Sequence, residues 1–221
     1  RQRTATGRDA AIGAARQGPL VTPSDGKLRA ALRPLDDPPR APGWNRALLQ
    51  ALSAPLHAVP AAVLLALRGD GAATELLFTR RDDRLSQHPG QVSFPGGRSD
   101  PADRDVIATA LREAEEEIAL PAALVTPLGF LDCLETISGF CVTPVVARID
   151  GQPALRPQPG EVAELFAVPL SYLLDPRNMV RQRYRTDHGE REMAEFHFQG
   201  YRIWGATALI LTNLQQRLAQ P

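Results

Sequence analysis

The sequence predicts an α/β protein in which a mixed β-sheet is held between helices, an α/β/α layer arrangement. Three observations lead there. Apolar, strand-like runs recur from residue 61 onward, only two or three helix-period segments interrupt them, and 221 residues are enough for one substantial core. That mixture argues against both a TIM barrel and a helical bundle.

Residues 1–45 are rich in Arg, Ala, Pro and Gly, with no aromatic before Trp44, and DDPPRAPG at 36–43 reads as an irregular arm. The expectation is an N-terminal extension with little to bury, followed by one domain over 46–221. AAVLLAL at 61–67, the turn GDGA at 69–72 and ELLFTRR at 75–81 form a hairpin signal. A loop, DDRLSQHPG, precedes the short strand QVSF and the turn PGG at 95–97. Residues 103–118 carry a helical pattern stopped by Pro121. LVTPLGFLDCLETISGF and CVTPVVARI supply further strands, and EVAELFAVPLSYLLD at 161–175 turns helical towards its end. RYRTDHGEREMAEFHFQGYRIWG reads as a hairpin with DHGE at its tip, and ATALILTNLQQRLA as a closing amphipathic helix.

Acidic and basic residues balance at 25 each, so no overall field draws the molecule to nucleic acid or an anionic membrane, and any anion binding is local. Lys27 is the only lysine. Arginine's planar fork suits phosphate and carboxylate, although a GC-rich genome produces the same bias. Cys133 and Cys141 suggest neither a disulfide framework nor a metal-ligand spacing, which points to a reducing compartment and a cytoplasmic location. No apolar run reaches the roughly 20 residues of a membrane span. The N-terminal arginines lack a following apolar stretch, so the segment is not read as a secretory signal, while a transit peptide stays open.

The stretch REAEEEIAL at 112–120 crowds four glutamates beside one arginine. At about 100° per residue, Glu113, Glu116 and Glu117 fall within one arc roughly 100° wide, and Glu115 points elsewhere. Ile107, Ala110, Leu111, Ala114 and Ile118 form an adjoining apolar stripe facing the core. Gathered carboxylates raise one another's pKa unless a cation neutralises them, and oxygen donors at this density suit Mg²⁺ or Mn²⁺. A solvated acidic face paired to Arg112 is the competing reading.

The surrounding FPGGRSDPADRDVIATALREAEEEIAL, residues 94–120, resembles the Nudix box, a glycine, five residues, a glutamate, seven residues, then REUxEExGU with U aliphatic. Gly97, Arg112, Glu113, Glu116, Glu117 and Leu120 match it. Asp103 stands in place of the first glutamate, one extra residue separates it from Arg112, and Ala119 replaces the closing glycine. LLFTRRDDRLSQHPGQVSFPGG at 76–97 is similar to the upstream block of the coenzyme A pyrophosphatases within the family. SGFCVTPVVARI, EVAELFAVPLSYLLD and YRIWGATALIL look like that subgroup's later blocks, so the resemblance spans roughly residues 60–215.

The resemblance implies a Nudix α/β/α sandwich and a Mg²⁺- or Mn²⁺-dependent hydrolase splitting the diphosphate of coenzyme A or acyl-CoA into adenosine 3′,5′-bisphosphate and (acyl-)4′-phosphopantetheine. Glu113, Glu116 and Glu117 would be metal ligands with the Gly97 carbonyl in addition, and Arg112 would orient the carboxylates. Glu113 is the first candidate for general base, with Glu161 and Glu164 as alternatives. Asp103 either holds a water or caps the helix. Arg80, Arg81, Arg84, His88 and Gln91 form the expected substrate-binding loop, whereas His57, His188 and His197 carry no pattern. Two rivals stay open: a hydrolase of ADP-ribose, NADH or another nucleoside diphosphate derivative, and a non-catalytic nucleotide-binding module. The expected partner is a small-molecule substrate, and a homodimer is left open beside a monomer.

Overall fold

The computed structural model describes residues 22–50, 58–186 and 189–220. His57, His188, residues 1–21 of the N-terminal extension and part of the DHGE tip lie outside the described residues.

The architecture is the expected mixed sheet between helices. Strand β1 (Val59–Arg68) runs parallel to β7 (Phe140–Ile149) from Val59 to Leu67, and β5 (Val125–Phe130) and β6 (Leu134–Glu135) pair antiparallel with β7. β2 (Glu75–Arg81) is antiparallel to β1 on one edge and to β8 (Val162–Pro169) on the other. As the central strand, β1 is apolar nearly throughout because both its faces are covered. Ala62, Leu64 and Ala66 pack against helix α3 (Val106–Ile118), while Ala61, Leu65 and Leu67 join the core beneath helix α5 (Gly205–Ala219). Alternation along the strand thus assigns each residue to one of two cores.

The β1–β2 hairpin is bonded only near its turn, at Leu67↔Leu76 and Arg68↔Glu75. Beyond it the strands diverge, and the chain returning through residues 92–98 fills the gap. β3 (Val92–Ser93) takes the edge of β2, and β4 (Gly96–Arg98) takes the edge of β1. Gly96 has φ 152°, and a Cβ there would lie 2.6 Å from Val63 Cα, so only glycine lets β4 press onto β1. The loop before the acidic helix is thereby tied to the centre of the sheet.

The 161–175 stretch is β8 followed by the short helix α4 (Leu170–Leu174). The expected late hairpin is β9 (Met179–Thr186) with β10 (Gly189–Phe198), joined by β11 (Tyr201–Ile203) in a separate three-stranded sheet. The expectation that residues 1–45 have little to bury is corrected for their described part. Helix α1 (Asp25–Ala31) puts Leu28 into the core beneath α5, with Leu32 beside it, and Arg217 of α5 donates to Ala31 O at 2.9 Å. Further on, Trp44 N–H donates to Cys133 O at 3.0 Å, and Asn45 binds the backbone of Glu135 through both ends of its amide, just before helix α2 (Arg46–Gln50). Two apolar residues at helical spacing suffice for this docking, and their low density among Pro and Arg hid it.

Cys133 and Cys141 are joined in a disulfide, which corrects the expectation of unpaired cysteines. The cause is tertiary. β6 folds back on β7 with Glu135 opposite Cys141, bringing Cys133 to the same cross-strand neighbourhood. The cytoplasmic expectation loses the observation on which it rested. No helix among the described residues is long and apolar enough to cross a membrane.

Candidate active site

Helix α3 begins later than the sequence pattern suggests. Asp105 is its N-cap, accepting Ala108 N–H at 2.8 Å, and Asp103 lies outside the helix. This corrects the capping role offered for Asp103, whose oxygens instead accept Nε and Nη2 of Arg112, each at 3.0 Å, together with Thr109 Oγ1 and Asp100 N–H. These donors hold its carboxyl well below the usual range, the Arg112 guanidinium foremost. The extra residue between Asp103 and Arg112 is absorbed in non-helical chain, so the pair still meets. Sequence spacing alone had concealed the contact.

Arg112 is thereby fixed as an organiser. Its Nη1 donates to Glu113 Oε1 at 2.8 Å and to Glu116 Oε2 at 3.1 Å, and Nη2 also donates to Arg98 O at 3.1 Å. The bidentate grip of Asp103 sets the plane of the guanidinium, and that plane sets where the two glutamates are held.

Of the three expected ligands, Glu113 and Glu117 turn inward, as the helical arithmetic requires, next to the buried Ala110, Ala114 and Ile118. Glu117 is only 7% exposed and accepts Gly96 N–H at 3.2 Å. Burial pushes its pKa up to about 7; the Gly96 bond opposes this, Glu113 adds repulsion, Arg81 attracts and Glu161 repels. Glu113 is raised as well, by burial first, with Arg112 opposing. Glu116 sits at the rim, more than half exposed. Gly97 faces Glu113: a Cβ there would lie 2.6 Å from the Glu113 carboxyl carbon, so the missing side chain is the space that carboxylate occupies.

Among the described residues no three acidic, histidine or cysteine side chains are drawn closely enough to hold an ion unaided. The donor set nonetheless fits a hard divalent cation. It consists of oxygens, burial raises both Glu113 and Glu117, and among the described residues Glu117 bonds no cationic side chain.

The arginine-rich strand end divides. Residues of β2 alternate between the two cores, with Leu77 on the α3 side and Leu76 and Phe78 on the other. Arg81 continues the α3 side and Arg80 the opposite one, where its Nη2 binds both oxygens of Asp83 at 2.8 and 2.7 Å. Arg84 is held by Asp82 through Nε and Nη2 at 2.9 and 2.8 Å. His88 is exposed with φ 55°, and Gln91 O accepts Arg81 N–H at 2.9 Å. The two glutamates of EVAE also part: Glu161 acts electrostatically on Glu113 and Glu117, whereas Glu164 lies opposite Arg80 and acts on Tyr201. No sequence pattern marks the segment before β8, where Gln158 and Arg156 donate their N–H groups to Glu117 O and Ile118 O at 2.8 and 3.0 Å.

Comparison with known proteins places this geometry. The NUDIX domain model matches residues 57–188. The uncharacterized Nudix hydrolase NudL of Photorhabdus laumondii is 42% identical over 146 residues, covering 65% of this chain and 76% of the relative. Its counterpart in Pectobacterium atrosepticum is 43% identical over 149 residues, covering 65% and 75%. Among solved structures, DR0079 from Deinococcus radiodurans is similar with a TM-score of 0.46 and 14% identity, over 73% of this chain and 83% of that one. The matched span covers more than half of the chain and includes the carboxylate-bearing helix and the glycine loop before it, and this chain belongs to the Nudix family of hydrolases.

Proposed function

We propose that this Nudix hydrolase cleaves the diphosphate linkage of coenzyme A or acyl-CoA, releasing adenosine 3′,5′-bisphosphate and (acyl-)4′-phosphopantetheine. The observation that carries the hydrolytic reading is the pair of carboxylates formed by half-buried Glu113 and buried Glu117, set against Gly97 and Gly96, with Arg112 bracing Glu113. The coenzyme A reading rests on the resemblance of residues 76–97 to the subgroup's upstream block.

Nudix hydrolases use divalent cations such as Mg²⁺ or Mn²⁺. We assign that role to Glu113, Glu116 and Glu117, with the Gly97 carbonyl, and the bound cation would screen the diphosphate charge and acidify water. Arg112 keeps Oε1 of Glu113 engaged, which leaves Oε2 to take the proton of the attacking water. Water oxygen attacks one phosphorus, the bridging P–O bond breaks, and the second phosphate leaves as a monoester. Glu161, which acts electrostatically on both carboxylates, is the alternative base; Glu164, opposite Arg80 and beside Tyr201, is not. The segment with Arg80, Arg81, Arg84, His88 and Gln91 is assigned to line the substrate pocket. Residues 46–221 are proposed as the hydrolase domain.

The test is a product assay by mass with coenzyme A and with ADP-ribose, each with Mg²⁺ or Mn²⁺. The expected outcome is both halves of coenzyme A. Intact coenzyme A alongside split ADP-ribose would transfer the assignment to the nucleoside diphosphate derivatives, and no cleavage of either, with binding retained, to a non-catalytic module.

A further inference from the structure

The three arginines at the end of β2 do not share one environment. Arg80 and Arg84 are each neutralised by a bidentate carboxylate within the same loop, Asp83 and Asp82. Among the described residues Arg81 makes no side-chain hydrogen bond or ion pair, and its Nε is enclosed without an acceptor. A guanidinium N–H withheld from water and left unbonded costs more than an ordinary lost hydrogen bond, because the group is charged. Such an atom persists where a ligand completes it.

The strand determines what that ligand meets. β-Alternation points Arg81 to the α3 side, and the irregular pairing between Arg80 and Arg81 sets Arg81 opposite Val162, which offers no carboxylate. The Arg81 backbone is held by Gln91 O at 2.9 Å, so the position is anchored while the fork stays free. Its charge is felt by Glu117, yet the two do not bond. A ligand that meets both a cation held by Glu113 and Glu117 and a free guanidinium on the same face needs at least two anionic oxygens on one compact group. A diphosphate supplies them.

We infer that Arg81, alone among the three arginines, is the residue that binds a phosphoryl oxygen of the scissile diphosphate, with Arg80 and Arg84 serving to shape the loop. The inference rests on the hydrolase reading above and narrows it to one cation.

The test is calorimetric binding of methylenediphosphonate, a non-hydrolysable diphosphate, in the presence of Mg²⁺. Arg81→Met is expected to weaken binding about tenfold or more, the scale of one charge-assisted hydrogen bond, with a melting temperature within roughly 2 °C of wild type. Arg81→Lys keeps the charge but lacks Nε–H and should fall between the two, which preserves the test if the methionine variant folds poorly. Arg177→Met removes an exposed, Asp175-paired arginine elsewhere and should leave affinity unchanged. Equal affinity of wild type and Arg81→Met overturns the inference. So does a variant that binds methylenediphosphonate normally but loses affinity for adenosine 3′,5′-bisphosphate, since Arg81 would then read the distal phosphate. A wild-type protein that neither binds nor splits any diphosphate removes the underlying reading as well.

Discussion

Glu117 carries an ionisable group where the fold offers it one backbone N–H and little water. Burial pushes its carboxyl up to about 7 from the ordinary 4.5 of a glutamate, so the metal-free folded chain keeps a proton that the unfolded chain releases. The stability from this group is complete below pH 4.5 and is lost as pH rises through 7, on the order of 3 kcal/mol, and Glu113 adds in the same direction. In chelator, the melting temperature should therefore fall between about pH 5 and about pH 8, and Glu117→Gln should remove most of that slope. Added Mg²⁺ or Mn²⁺ should raise the melting temperature more at the upper end of the range, and a thermal series across pH checks both points. The same variant should lose turnover roughly 100-fold or more, because it keeps shape and gives up charge. Gly97 offers a complementary test. Gly97→Ala pushes against the far end of a flexible side chain, so stability should change little while turnover drops about tenfold to 100-fold through displacement of the Glu113 carboxylate. Melting and steady-state rates measured together separate the two effects.

At the scale of the element, α3 shows how a motif letter becomes a backbone requirement. Ala119, standing where the family pattern has glycine, is the C-cap and adopts φ 54°, ψ 38°, with its N–H directed to Ala114 O and Glu115 O. The left-handed conformation is unfavourable for any residue with a Cβ, so Ala119→Gly should stabilise the protein by about 1 kcal/mol without altering activity. Denaturant unfolding checks it. The apolar stripe of this helix was legible because a period of 3.6 residues has one solution for which face is buried. Its first turn was not, since Asp103 and Asp105 are equally good caps by type. The choice fell to Asp105 because Arg112 reaches back and holds Asp103. Likewise the pattern of β2 marked a strand, but only the pairing with β8 shows that Arg80 lies opposite Glu164 and Arg81 opposite Val162.

For the molecule as a whole, two cores on either side of one sheet divide the labour. The α3 core supports the carboxylates, and the α5 core receives the N-terminal arm through Leu28 and Leu32. With a net charge of zero, attraction of an anionic substrate falls to local groups such as Arg81 and the cation site. The sequence by itself determined the layered α/β class, the acidic helix and the Nudix-box resemblance, whose family the domain match confirms, because alternation, helical period and motif spacing are properties of neighbouring residues. Only the tertiary structure decided the docking of residues 22–45, the Cys133–Cys141 pair, the grip of Asp103 on Arg112 and the division of the three arginines. Each of these depends on where strands far apart in the chain come to lie beside one another, and that is set by the packing of the whole sheet.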